Sequence, residues 1–536
     1  MPDVVITGGE VHDGGGAPPV RADVEITGDR ITRIGPPAPG GPADGALVVD
    51  AAGQAVCPGF INILSHSNRS ILHDPRSLGE LTQGVTTEVF GEGTSMGPLS
   101  PRMRAELEQE AERDDLDYEI CWTRLSEYLA HVERRGTAQN VASFIGAGTL
   151  RANGVGFDDR PATAGELDRM RALVAEEMAD GALGIASALI YPPGSYADTA
   201  ELTELCRVVA GYGGCYASHI RSEGDGLEEA VTEFLSICQG AGLRGELFHL
   251  KAAGRDHWDK MDAAIELIER ARSAGQAVTA DVYPYPASST GLTSIIPDRY
   301  HEGGTEALYD RLTDPAVRAQ ITADLSGSHR WGDVTEADNV LILHCSAPQN
   351  RIWQGRTLAE IAAERGVDPV EAALDLIASD RTRVQCAFFS MSEENLRKAL
   401  RRPWVAVVSD GASMAPEGAF LRAPTHPRSY GSFARVLGHY ARDQKVLTLA
   451  DAIRRMSGLP AATLGLRDRG LLREGFFADV VVFDPATVAD RATFADPHQL
   501  SAGVSEVLVN GSATVASGRF AGKLAGRALA GPGRRP

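Results

Sequence analysis

No cysteine pair of the CxxC kind occurs in this 536-residue sequence. Its seven cysteines, Cys57, Cys121, Cys206, Cys215, Cys238, Cys345 and Cys386, are scattered and odd in number, which argues against a disulfide framework and favours a reducing cytoplasm. Positive charge is also scarce. The formal net charge of −20 repels phosphate backbones and anionic lipid, so neither nucleic acid nor a membrane surface is expected as a partner. Long apolar runs are missing as well: none reaches the roughly 18 residues that a membrane span requires. The opening MPDVVITGGEV has no basic stretch followed by an apolar one, so a secretory signal is not expected.

What is present is an ordinary globular composition, 43% hydrophobic, at a length that suits a large catalytic domain plus a smaller one. Both ends read as β structure. Asp23–Ile26 and Ile31–Ile34 alternate around a Gly28-Asp29 turn, a hairpin signal, and Ala478–Pro485 and Val504–Gly511 have the same texture near the other end. The two ends are therefore expected to join into one small β-sandwich from residues 1–57 and 466–536, with the last dozen residues as a frayed tail. Residues 58–465 alternate differently. The β-rich runs Val85–Phe90, Val141–Ile145, Ala182–Ser187, Cys215–His219, Glu246–Leu250, Ala277–Tyr283, Val340–Cys345 and Val405–Ser409 are separated by helix-like segments. About eight runs in such a rhythm predict an α/β fold with a (β/α)8 TIM-type barrel. Residues 286–338 interrupt the rhythm and are expected to form an inserted subdomain.

Catalytic groups of parallel barrels sit where strands end, on the C-terminal face. Three runs end in ligand-type residues: Cys215–His219 in His219, the run through Phe248 in His249, and Val405–Ser409 in Asp410. Taken singly, a histidine at a strand end is more often a hydrogen-bonded core or surface residue, and Ser-Asp-Gly more often a turn. Two imidazoles and a carboxylate at three strand ends together outline a catalytic metal site for Zn²⁺ or a related ion.

Several segments carry a resemblance. Pro58–Ile61, Gln83–Glu88, Ser218–Glu223, His249–Lys251, Ala280–Tyr285, Ser409–Gly411, His426–Phe433, Gly458–Ala462 and Leu466–Pro485 resemble, in order and spacing, the D-aminoacylase (N-acyl-D-amino-acid deacylase) branch of the amidohydrolase superfamily. The resemblance implies the same barrel with a β-sandwich built from both termini. It also implies that His219 and His249 bind the tightly held metal, and that Asp410 takes a proton from a metal-activated water and returns it to the leaving nitrogen. Lys251, Tyr283, Arg428 and Ser289 fall around the expected substrate, a small carboxylate-bearing amide such as an N-acyl D-amino acid; scaffold hydrogen bonding is the competing role for these residues. A homo-oligomer is left open.

Two segments depart from the family pattern. The first strand of the family ends in Asp-x-His-x-His-x-Asp; here Asn62-Ile63-Leu64-Ser65-His66-Ser67-Asn68 keeps only the second histidine, His66. The next strand of many relatives ends in Gly-Asn-Cys-Gly with a ligand cysteine; here Gly93 is read at that position, and Glu92, one residue earlier, can swing in as an oxygen ligand, with an N-cap or a salt-bridge partner as its competing roles. The expectation is one tightly bound Zn²⁺ among His219, His249, Glu92 and Asp410, with a second site near His66 weak or absent. Retained Asp410 favours an active amidohydrolase. A repurposed relative catalysing cyclisation, lyase chemistry or an unusual amide hydrolysis, and a non-catalytic pocket protein, are the alternatives.

Overall fold

A computed structural model describes residues 2–38, 45–114, 118–326 and 336–534. Three short parallel strands, Phe60–Asn62, Val85–Phe90 and Asn140–Ser143, lie side by side. A further parallel set runs Ile145–Gly146, Gly184–Ala188, Cys215–His219, Arg244–Leu247, Val278–Val282 and Val405–Val407. The chain at 143–145 joins the two: Phe144 N donates to Phe90 O at 2.8 Å, and Leu183 N to Ser143 O at 3.0 Å. The ring closes where Asp410 N donates to Leu64 O at 3.0 Å and His66 N to Gly411 O at 2.9 Å. The result is a (β/α)8 barrel. Its strands are buried except at the half-buried Arg244 and Thr279, because side chains fill the interior and helices cover the outside. Local sequence sets the helix starts. Thr163 accepts from Glu166 N while the Glu166 carboxylate accepts from Thr163 N at 2.7 Å, so Thr-x-x-Glu satisfies two donors at the start of Ala164–Ala179.

Strands from both ends of the chain meet in one nine-stranded sheet, in which Val480–Phe483 pairs antiparallel with both Ala55–Pro58 and Val504–Val509. The alternation within Val480–Phe483 decides its packing. Val480 and Val482 enter a cluster with Ile6, Val24 and Ile31, whereas Val481 and Phe483 face the main core under the barrel.

Three expectations need correction. Val340–His344 is not a barrel strand: it pairs antiparallel with Gln385–Phe388, which also pairs with Ser288–Gly291. This sheet has its own core, including Leu292, Ile342, Leu374 and Ile377, so the interruption of the barrel rhythm extends beyond residue 338, to the strand at Gln385–Phe388. Residues 327–335 of the expected insertion lie outside the described residues. The barrel position assigned to Val340–Cys345 is taken by Phe60–Asn62; a short apolar run does not by itself say which sheet it joins. The final residues, apart from 535–536 outside the described range, are not frayed. Val141 N donates to Arg527 O, Leu529 N to Val141 O and Gly531 N to Gly181 O, which fastens the tail along the third strand.

Candidate active site

His219 ends one barrel strand, His249 follows the next by two residues, and Asp410 lies three residues past the last. His249 and Asp410 both have left-handed backbones, with φ of +38° and +50°. That conformation costs a side-chain-bearing residue on the order of 1 kcal/mol and persists only where neighbours enforce it. Here the Asp281 carboxylate accepts from His249 N at 2.6 Å, and Leu64 O accepts from Asp410 N at 3.0 Å. The kinks turn both side chains into a cavity of about 820 Å³ at the C-terminal mouth.

Glu92 is the hub. Its Oε1 stands 3.0 Å from His219 Nδ1 and 3.2 Å from His249 Nε2, and its Oε2 is 3.1 Å from His66 Nε2. His66 Nε2 is also 3.0 Å from Asp410 Oδ1, while Arg428 donates to Asp410 Oδ2 at 2.6 Å. Donor atoms of Glu92, His219 and His249 lie within 4.8 Å of one another, as do those of His66, Glu92 and Asp410. Two imidazole nitrogens and a carboxylate oxygen so close together fit a tetrahedral ion with a fourth position open. His219 Nε2, the other ring nitrogen, is buried and faces Glu223 Oε1 at 3.7 Å.

The electrostatics follow from this crowding. Burial pushes the Glu92 carboxyl up, but His219, His249 and His66 overcome it and hold Glu92 well below the usual carboxylate range. Burial and Lys251 oppose charge on His249, yet Glu223 and Glu92 raise it to about 10. Burial likewise opposes charge on His66, and Asp410 and Glu92 raise it to about 9. Asp410 is pushed up by burial and pulled down further by Arg428 and His66, so it remains a carboxylate.

The structure brings Glu92, His219 and His249 into one group and sets Asp410 with His66 in the adjoining one. Glu92 faces the cavity without any swing. The position beside it, read from sequence as the cysteine equivalent, points elsewhere: a Cβ on Gly93 meets the Ala188 methyl at 2.6 Å. Leu64 is buried in the apolar interior. Asn62 lies behind the site, donating to Glu80 at 2.8 Å and to Ser409 at 2.7 Å. Lys251 is buried and bonded at 2.5 Å to Glu223, whose carboxylate also lies 3.0 Å from His249 Nδ1. The ring of Tyr283 lies between two cations, with the Lys251 ammonium 5.6 Å and the Arg428 guanidinium 4.9 Å from its centroid. Ser289 O accepts from Arg428 at 3.1 Å. Sequence reasoning missed Glu223 as a site residue, although it stands four residues after His219 in the Ser-His-Ile-Arg-Ser-Glu segment.

Comparison with known proteins decides the lineage. Residues 47–515 match the model of the amidohydrolase family. This chain belongs to that family. It is 37% identical to the N-acyl-D-glutamate deacylase of Alcaligenes xylosoxydans xylosoxydans over 514 residues, covering 95% of this chain and 93% of the relative. It superimposes with a TM-score of 0.82, at 34% identity, on N-acyl-D-glutamate deacylase from Bordetella bronchiseptica complexed with zinc and a phosphonate inhibitor that mimics the tetrahedral intermediate; 99% of this chain and 100% of that one are covered. A D-aminoacylase structure, studied for one-metal activation and second-metal attenuation at a binuclear metal centre, gives a TM-score of 0.80 at 34% identity, with the same coverage of both chains. This amidohydrolase is thus a hydrolase of amide C–N bonds with a metal site. Among the described residues no helix is long and apolar enough to cross a membrane.

Proposed function

We propose that this amidohydrolase removes the acyl group from an N-acyl D-amino acid, or a similar carboxylate-bearing amide, using one zinc ion held by Glu92, His219 and His249. The observation that carries the reading is the Asp410 carboxyl group beside that trio, with one oxygen on Arg428 and the other facing His66 at 3.0 Å. Zinc bound there supplies Lewis acidity toward the amide carbonyl and lowers the pKa of a water toward 7. Asp410 accepts a proton as the water oxygen bonds to the carbonyl carbon, then delivers it to nitrogen as the C–N bond breaks. Arg428 fixes which Asp410 oxygen is available for that exchange, and with Ser289 and Tyr283 it marks the wall for the substrate carboxylate. Lys251, engaged by Glu223, orients His249 through the shared carboxylate.

The trio His66, Glu92 and Asp410 is the weaker cation site in this reading, because Leu64 withholds a second imidazole and Arg428 already neutralises Asp410. All seven cysteines are free, six of them buried, which supports a reducing compartment such as the cytoplasm. No observation favours a repurposed or non-catalytic site. The test is hydrolysis of N-acetyl D- and L-amino acids by zinc-loaded protein, followed through the released amine. Turnover confined to D-substrates is expected; inertness toward every N-acyl amino acid rejects the reading.

A further inference from the structure

Resting on that reading, we infer that Arg383 recognises a second carboxylate on the substrate, making N-acyl derivatives of acidic D-amino acids the preferred class. Among the cations lining the cavity, Lys251 is paired with Glu223 and Arg69 with Glu110, while Arg428 gives one nitrogen to Asp410 and another to Ser289 O. Arg351, which donates to Ser346 O at 3.1 Å, and Arg383 have no carboxylate within 4.0 Å among the described residues, and of these two Arg383 stands beside the metal trio. It is nonetheless held. Its guanidinium donates to Thr290 Oγ1 at 3.2 Å and lies 5.3 Å from the centre of the Tyr191 ring. Tyr191 shares a 2.7 Å hydrogen bond with the same Thr290 hydroxyl, and its ring packs edge-on against His219 at 5.4 Å. One aromatic ring thus ties the unpaired cation to the metal trio.

The backbone is cut to admit this arginine. A Cβ on Gly291 would lie 2.7 Å from Arg383 Cβ and 2.9 Å from its Nε, so the bare glycine lets the side chain lie against strand Ser288–Gly291. That strand also carries Ser289, whose carbonyl accepts from Arg428. Two guanidinium groups therefore bracket neighbouring residues of one strand, about 3.3 Å apart along it. Arg428 faces the reacting end and Arg383 the rim. A substrate with one carboxylate beside the scissile amide and another on a short side chain presents two anions to these two cations.

The test is the ratio of kcat/KM for N-acetyl-D-glutamate to that for N-acetyl-D-leucine, a ratio that cancels differences in folding and metal loading between variants. Wild type is expected to favour the acidic substrate. Because Arg383 is solvent-exposed, Arg383→Gln should lower the ratio on the order of tenfold rather than a hundredfold, chiefly through KM for the acidic substrate, with partial recovery in Arg383→Lys. A wild-type ratio near one, or one unchanged in Arg383→Gln, overturns the inference while leaving the deacylase reading intact. If neither substrate is hydrolysed, the deacylase reading fails separately, and calorimetric binding of the two compounds decides. Tighter binding of the glutamate derivative, lost in Arg383→Gln, upholds the role of Arg383; equal binding refutes it.

Discussion

Arg428 donates to one oxygen of Asp410 at 2.6 Å and leaves the other facing His66 at 3.0 Å. The pair gives the Asp410 carboxylate a fixed orientation, as a proton shuttle requires, and leaves it separate from the Glu92, His219 and His249 group.

The separation gives a first prediction. Asp410→Asn keeps the shape and Arg428's partner but cannot accept a proton. Turnover should fall by about 10²–10⁴-fold with metal content unchanged. Elemental analysis alongside single-substrate kinetics checks this, and an active Asn variant contradicts the assigned role.

Metal count is the second. Wild type should retain one tightly bound ion per chain, His66→Ala should keep it, and Glu92→Ala should weaken it by at least about a hundredfold, since even supporting residues contribute 10–100-fold. Two tightly held ions per chain, measured after exhaustive dialysis, count against the one-metal arrangement.

Metal uptake should depend on pH. In the metal-free protein His249 is raised to about 10 and His66 to about 9, both against the pull of burial. A cation must displace the His249 proton, so its apparent affinity should climb about tenfold per pH unit from pH 6 to 9. The stability sign is opposite. These pairings support the metal-free fold fully below the unfolded imidazole value of about 6.5 and lose their effect as pH passes through 9 to 10. Titration with zinc at several pH values, with melting of the metal-free protein, reads both trends.

A fourth prediction lies away from the site. Glu177 is buried, accepts from Leu125 N at 3.2 Å, and is pushed up to about 7 by burial despite nearby Arg124. A carboxyl with a raised folded pKa stabilises below its unfolded value, near 4.3, and loses that effect as pH rises toward 7. Glu177→Gln should therefore match wild type near pH 4 and be more stable at pH 8, by up to about 3 kcal/mol. Denaturant melts at the two pH values test it; equal differences at both exclude the burial explanation.

Much of this is legible in the sequence alone. The unbroken apolar run Val480–Phe483 states that its strand buries both faces, and Thr163-x-x-Glu166 marks a helix start. His219, His249 and Asp410 were visible because barrel chemistry gathers at strand ends, a local property. Tertiary structure decided the remainder. Whether Glu92 or Gly93 faces the cavity depends on a turn in which Gly93 has φ of +62° and packs on Ala188, which no spacing reports. Val340–His344 joined a separate sheet, Glu223 became the partner of His249 and Lys251, and the tail docked on the third strand through contacts distant in sequence. Local pattern fixes which faces want burial and which residue types can do chemistry; long-range pairing fixes which of them meet.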